Sequence, residues 1–164
     1  MTAMTGVPSG LFDTIGGLPV HILAIHGVVV GVPVMSLVTV AIAAKPSWRA
    51  RAGWAVVVAD ALLLGLVWVT VQAGKALFAR LDRTGGATEL VAEHAQHGLR
   101  MPWFALGLVV AATVSALIGR RRGPGLLAVV VAVVAAAAAI YGVFVTGEGG
   151  TAALWRDFVE TSNP

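Results

Sequence analysis

The chain has 164 residues, 58% of them hydrophobic and only 12% charged, with no cysteine and a formal charge of +3. With a mean hydropathy of +0.89 it is too apolar to present a wettable surface, so composition assigns it to the membrane rather than to the soluble domains. The absence of cysteine excludes disulfides and thiolate metal sites, and the basic residues sit in short loops between apolar runs, which is an orientation signal and not a nucleic-acid surface.

In chain order, the first run long enough to cross a hydrocarbon core of roughly 20 residues extends from about Pro19 to Ala44 and stops at "KPSWRAR". It opens with "LPVHILAIHGVVVG", so two of the four histidines, His21 and His26, fall in its first turns. The second run extends from about Gly53 to Phe78 and carries Asp60 in "WAVVVADALLLGL". A segment from about Ala79 to Arg100 follows. Its "ATELVAEHAQHG" offers Thr88 as a helix cap, and the segment is expected to be partly helical at the membrane surface. The third run, about Met101 to Ile118, stops at "GRRRGPG". The fourth, about Leu126 to Val145, contains five consecutive alanines, the small-residue face expected where helices touch closely.

These runs predict an all-α fold: a single transmembrane domain over 1–164, an integral membrane four-helix up-down bundle. Lys45, Arg49, Arg51, Arg120, Arg121 and Arg122 cluster in the two short loops of one side. The positive-inside rule places that side in the cytoplasm of a bacterial cell, with both termini extracytoplasmic. The N-terminal stretch has no basic n-region and does not read as a cleaved signal peptide.

All four histidines then lie at the outer end. His21 and His26 are five residues apart, hence roughly 140° apart around a helix and ~7.5 Å apart in depth, so they cannot face one point. His94 and His97 share a helical face. Lys75 and Tyr141 come out at similar depth, and together these residues outline a polar pocket with His26 deepest. A histidine at an interface is usually just solvated, which suits His21 and His94; a deep His26 is expected to face the bundle interior. Asp60 lies roughly 10 Å along its helix from Gly53, level with Thr39 and Thr113. It is expected to be a structural carboxylic acid bonded to one of those threonines, Thr39 first, in preference to a proton site.

The stretch "LPVHILAIHGVVVGVP" resembles the first helix of the bacterial DUF2231 membrane family, with Pro19, His21 and His26 on the motif residues and Ile22 and Gly27 where the family usually has proline and phenylalanine. "GKALFARLD" and "ELVAEHAQHG" resemble its connection between helices two and three, with His94 and Gly98 in matching places. "VTGEGGTAALW" resembles an actinobacterial ending in which Glu148 and Gly149 here replace a histidine and a serine. The resemblance covers about 16–155. It implies four helices, a polar extracytoplasmic end and, through occasional fusion to Rieske-type iron–sulfur domains, redox work with such partners.

Three functions follow as expectations. In the first, His26 pairs with His97 or His94 as axial ligands of a haem b in membrane electron transfer, with His21, Tyr141, Lys75 and Arg100 around its edge. In the second, His21, His26, His94 and His97 hold zinc or copper. In the third, the chain is a non-catalytic accessory subunit of a respiratory-type membrane complex without any cofactor. The protein is not expected to be an enzyme on its own, because no serine or cysteine nucleophile has a placed base and no phosphate-binding loop follows a strand. Single cysteines at positions 2 and 121 test the topology: an impermeant thiol reagent on intact cells is expected to label position 2 and spare 121, and the opposite pattern reverses the bundle.

Overall fold

The computed structural model describes residues 14–121 and 124–162. Asp13 and the residues before it, and Arg122 in the basic loop, lie outside the described residues. A two-residue hairpin, β1 (Thr14–Ile15) against β2 (Leu18–Pro19), precedes the bundle. Its turn is Gly16–Gly17, both at positive φ (58° and 82°), the pair of left-handed positions that a tight two-residue hairpin requires. Five helices follow: α1 (Val20–Ala44), α2 (Pro46–Thr84), α3 (Glu89–Gly98), α4 (Met101–Ile118) and α5 (Gly125–Ser162). Four helical stretches are long and apolar enough to cross a membrane, α3 and α4 together forming the third.

The crossing helices close into a square. α1 packs on α2, α2 on α4, α4 on α5 and α5 back on α1, while α1 and α4 stand diagonally opposite. Neighbours around the square are antiparallel. This is the up-down bundle that short connections impose on consecutive helices.

Burial follows size and not hydrophobicity. Leu37, Leu62, Leu117 and Leu126 are exposed, whereas Ala43, Ala111, Ala128, Ala132 and Ala139 are buried together with Ser36, Thr39 and Ser115. In water that order would be inverted. In lipid, large side chains gain nothing by leaving the hydrocarbon, so the interior is built from residues that let backbones approach. At Gly53 backbone meets backbone: a Cβ there would stand 2.9 Å from the Cα of Ala116. Larger residues, including Val32, Leu63, Val67 and Leu108, fill the half of the core nearer the histidines.

Two helices are longer than the hydropathy runs. α2 begins at Pro46 rather than near Gly53, because a proline at the first helical position sacrifices no hydrogen bond there. It continues past Phe78 to Thr84 and ends only at Gly85 (φ 77°), whose left-handed conformation lets Gly86 N–H reach Leu81 O at 2.8 Å. The fourth crossing helix does not stop at Val145: α5 runs through "VTGEGG" to Ser162. The segment expected as a surface connection from 79 to 100 is therefore mostly shared between α2 and α3, and α3 packs against α5 and α2. Thr88 caps α3, accepting the Val91 N–H at 3.4 Å.

At the opposite end from the histidines, Arg49 changes role. It is not in a loop but in the first turns of α2, 2% exposed. Its Nε donates to Gly119 O at 3.0 Å, Nη1 to Ala43 O, and Nη2 to Arg121 O at 3.0 Å. These carbonyls belong to the ends of α1 and α4 and the residues after α4, where helix carbonyls lack intrahelical donors and carry partial negative charge. One planar guanidinium thus ties three segments. Arg49→Ala is expected to cost roughly 2–4 kcal/mol of stability, read as earlier thermal unfolding in detergent. Arg49→Lys should recover only part of the loss, since an ammonium lacks the fork geometry.

Candidate histidine site

Above the core, at the end where α1 begins, the helices part around a cavity of about 380 Å³. Its floor is Val28, Val67, Met101 and Val143; Leu77, Phe78, Leu81 and Val91 wall its upper part. Two imidazoles, His21 from α1 and His94 from α3, line it, with Lys75 and Gln96 as exposed polar residues at its rim.

The two rings are 6.1 Å apart between centroids and inclined at 75°. His21 Nδ1 lies 3.0 Å from Thr70 O and His94 Nδ1 lies 2.9 Å from Thr146 O. A carbonyl can only accept, so each Nδ1 carries the hydrogen and each neutral ring keeps its lone pair on Nε2. Neither Nε2 has a hydrogen-bond partner among the described residues. Small residues make this possible. A Cβ at Gly74 would stand 3.1 Å from the His21 ring, and one at Gly150 would stand 3.0 Å from the His94 ring. Gly149 and Gly150 therefore remain helical while allowing α3 to seat its histidine against α5.

His26, expected to face the bundle interior, does not. His26 is exposed, bonded through Nδ1 to its own Ile22 O at 2.7 Å, and does not line the cavity. The reason is rotation: α1 buries the stripe of Val28, Val32 and Thr39, and His21 lies within about 20° of that stripe whereas His26 lies about 160° from Val28. His97 is half-buried on α3 with its Nδ1 enclosed and unpartnered, and it too lies outside the cavity lining. Tyr141 is 66% exposed on the outer surface, away from the cavity. Lys75 does line the cavity. Arg100 is exposed at the start of α4. Among the described residues no group of three or more His, Cys, Asp or Glu side chains converges.

A family model now gives this bundle a place: it describes predicted membrane proteins, DUF2231, and matches residues 17–163. The chain belongs to the DUF2231 family. It is a multi-pass membrane protein. No curated protein and no solved structure matches it. The matched region of this DUF2231 chain includes both histidines of the first helix, the whole cavity and the long C-terminal helix.

Asp60 on α2 is a carboxyl inside the bundle, 1% exposed. Thr39 Oγ1 donates to Asp60 Oδ2 at 2.9 Å. Thr113 does not reach it and donates instead to Val109 O of its own helix at 2.7 Å. Asp60 Oδ1 and the Ser36 Oγ nearby on α1's buried face have no partner. Asp60→Asn keeps an acceptor for Thr39 and is expected to fold normally. Asp60→Leu leaves Thr39 without it and should cost roughly 1–3 kcal/mol, read by thermal unfolding in detergent. A loss of function in a normally folded Asp60→Asn protein would assign the carboxyl a proton-transfer role instead.

Proposed function

We propose that this protein is a membrane electron carrier that holds a haem b between His21 and His94. The observation that carries the reading is the pair of imidazoles, contributed by different helices and each fixed through Nδ1 so that Nε2 is left free. The two rings form an edge-to-face pair, 6.1 Å between centroids, which brings two imidazoles from different helices to one place. The donor count favours haem over a bare ion. Zinc held by protein alone takes three or four ligands, and no third histidine, cysteine or carboxylate joins the pair among the described residues. A porphyrin brings four nitrogens and asks the protein for two axial imidazoles only.

When bound, such a group would supply reversible one-electron transfer, with His21 and His94 as the residues that would hold it. The chain's own residues do the rest. Thr70 and Thr146 carbonyls orient the rings and raise their basicity through the Nδ1–H bonds. Val28, Val67, Met101 and Val143 exclude water beneath. Lys75 at the rim offers a cation to an acidic substituent.

The test is the visible spectrum of the purified full chain, oxidised and dithionite-reduced, before and after incubation with haemin. A Soret band is expected. His21→Ala and His94→Ala should each abolish it, while His26→Ala and His97→Ala should retain it. Wild-type protein that shows no Soret band even after incubation with haemin would falsify the reading, and metal analysis of that same sample would show whether zinc or copper takes its place.

A further inference from the structure

Four outward-facing side chains on four helices stand at one level. Gly53 of α2 meets Ala116 of α4; thirteen residues further along each antiparallel helix, Leu66 and Trp103 are level again. Leu66 packs on Gly27, next to His26, and lies two residues from Trp68. Gly142 packs on Phe104 and Met101 and is next to Tyr141. His26, Trp68, Trp103 and Tyr141 therefore form a girdle, the last three 50%, 72% and 66% exposed. Tryptophan and tyrosine collect at the headgroup layer. At the arginine end Trp48 and Trp54 are also exposed, and the twenty residues from Trp48 to Trp68 span about 30 Å of helix, the thickness of a hydrocarbon core. Trp68, which looks too deep for a belt when its helix is ended at Phe78, is a girdle residue once the helix is followed to Thr84.

The cavity rises from this girdle and leaves the membrane. Val67 on its floor is level with the girdle, His21 stands roughly 7 Å beyond His26, and Phe78 and Leu81 lie roughly 15–20 Å beyond Trp68. Its walls are nonetheless apolar, and apolar wall facing water costs about 25 cal/mol per Å². At the level of the girdle, Val29 is both a lining residue and 45% exposed, so the cavity meets the lipid-facing surface there. We infer that the collar formed by α3 and the ends of α2 and α5 holds a lipid-soluble amphiphile lifted clear of the hydrocarbon core, admitted past Val29 and with its polar end toward Lys75 and Gln96. This rests on the cavity being the binding site of the preceding reading, not on the occupant being haem.

The absence of native cysteine allows single-cysteine spin labels in nanodiscs. Labels at Val30 and Leu62 are expected to be relaxed mainly by oxygen, and labels at Glu93 and Gln96 mainly by a water-soluble nickel chelate. In liposomes prepared with haem-free protein, a fatty acid bearing a diazirine is expected to crosslink to the stretch from Leu77 to Leu81 and to Val91, and Val71→Trp, which fills the cavity, should remove those crosslinks with helicity unchanged. Oxygen-dominated relaxation at Gln96, or crosslinks confined to residues on the membrane side of the girdle, overturns the inference. The two readings fail separately. Cavity crosslinks without a Soret band retain the amphiphile and dismiss haem; a Soret band with Gln96 in lipid does the reverse.

Discussion

Hydrocarbon offers no hydrogen bonds, and the structure depends on that constraint. Every backbone amide that crosses the membrane must be satisfied within its own helix, so valine-rich stretches that favour strands in water are helical here. The constraint extends to side chains. Asp60 is tied to Thr39 across α1 and α2. Ser115 and Thr113 donate to carbonyls of their own helix. Arg49 spends its guanidinium on the carbonyls at the helix ends. Asp60 and Arg49 thus link helices, whereas Ser115 and Thr113 turn back on their own, because lipid provides no alternative partner.

The two ends of the bundle are built by opposite means. At the arginine end, alanines and Gly53 bring the helices into close contact, and Arg49 closes what remains. At the histidine end, larger side chains and long helical extensions hold the helices apart, and the gap becomes a cavity. The glycines follow the same division. Gly53 permits backbone to touch backbone, whereas Gly74 and Gly150 make room for imidazoles. A methyl group at either of the latter positions would press on a histidine ring, not on another helix. Gly74 and Gly150 thus serve the site, whereas Gly53 serves the fold.

An apolar cavity with two fixed imidazoles is an unusual use of the surface end of a membrane bundle. The carbonyls of Thr70 and Thr146 are main-chain groups of α2 and α5, so ring orientation is coupled to helix position. A shift of α2 or α5 along its axis would move a carbonyl and with it an imidazole. α3 matters for the same reason: capped by Thr88 and seated on Gly149 and Gly150, it carries His94 as part of a packed element and not of a free loop.

The sequence by itself determined the class, the number of crossings, the basic end, the cap at Thr88 and the partnership open to Asp60. Each follows from local composition or from depth along a helix, which a 1.5 Å rise converts directly from residue number. The tertiary structure decided which histidine faces inward. Five-residue spacing shows that His21 and His26 diverge, but not which one the bundle selects; that depends on which stripe of α1 the neighbouring helices bury, and His21 extends the stripe of Val28, Val32 and Thr39. It decided also that Arg49 is buried, because its three acceptors come together only when α1 and α4 end beside α2. Helix length was hidden for a related reason. Hydropathy detects residues that prefer lipid, and the ends of α2 and α5 are more polar continuations held by packing against α3.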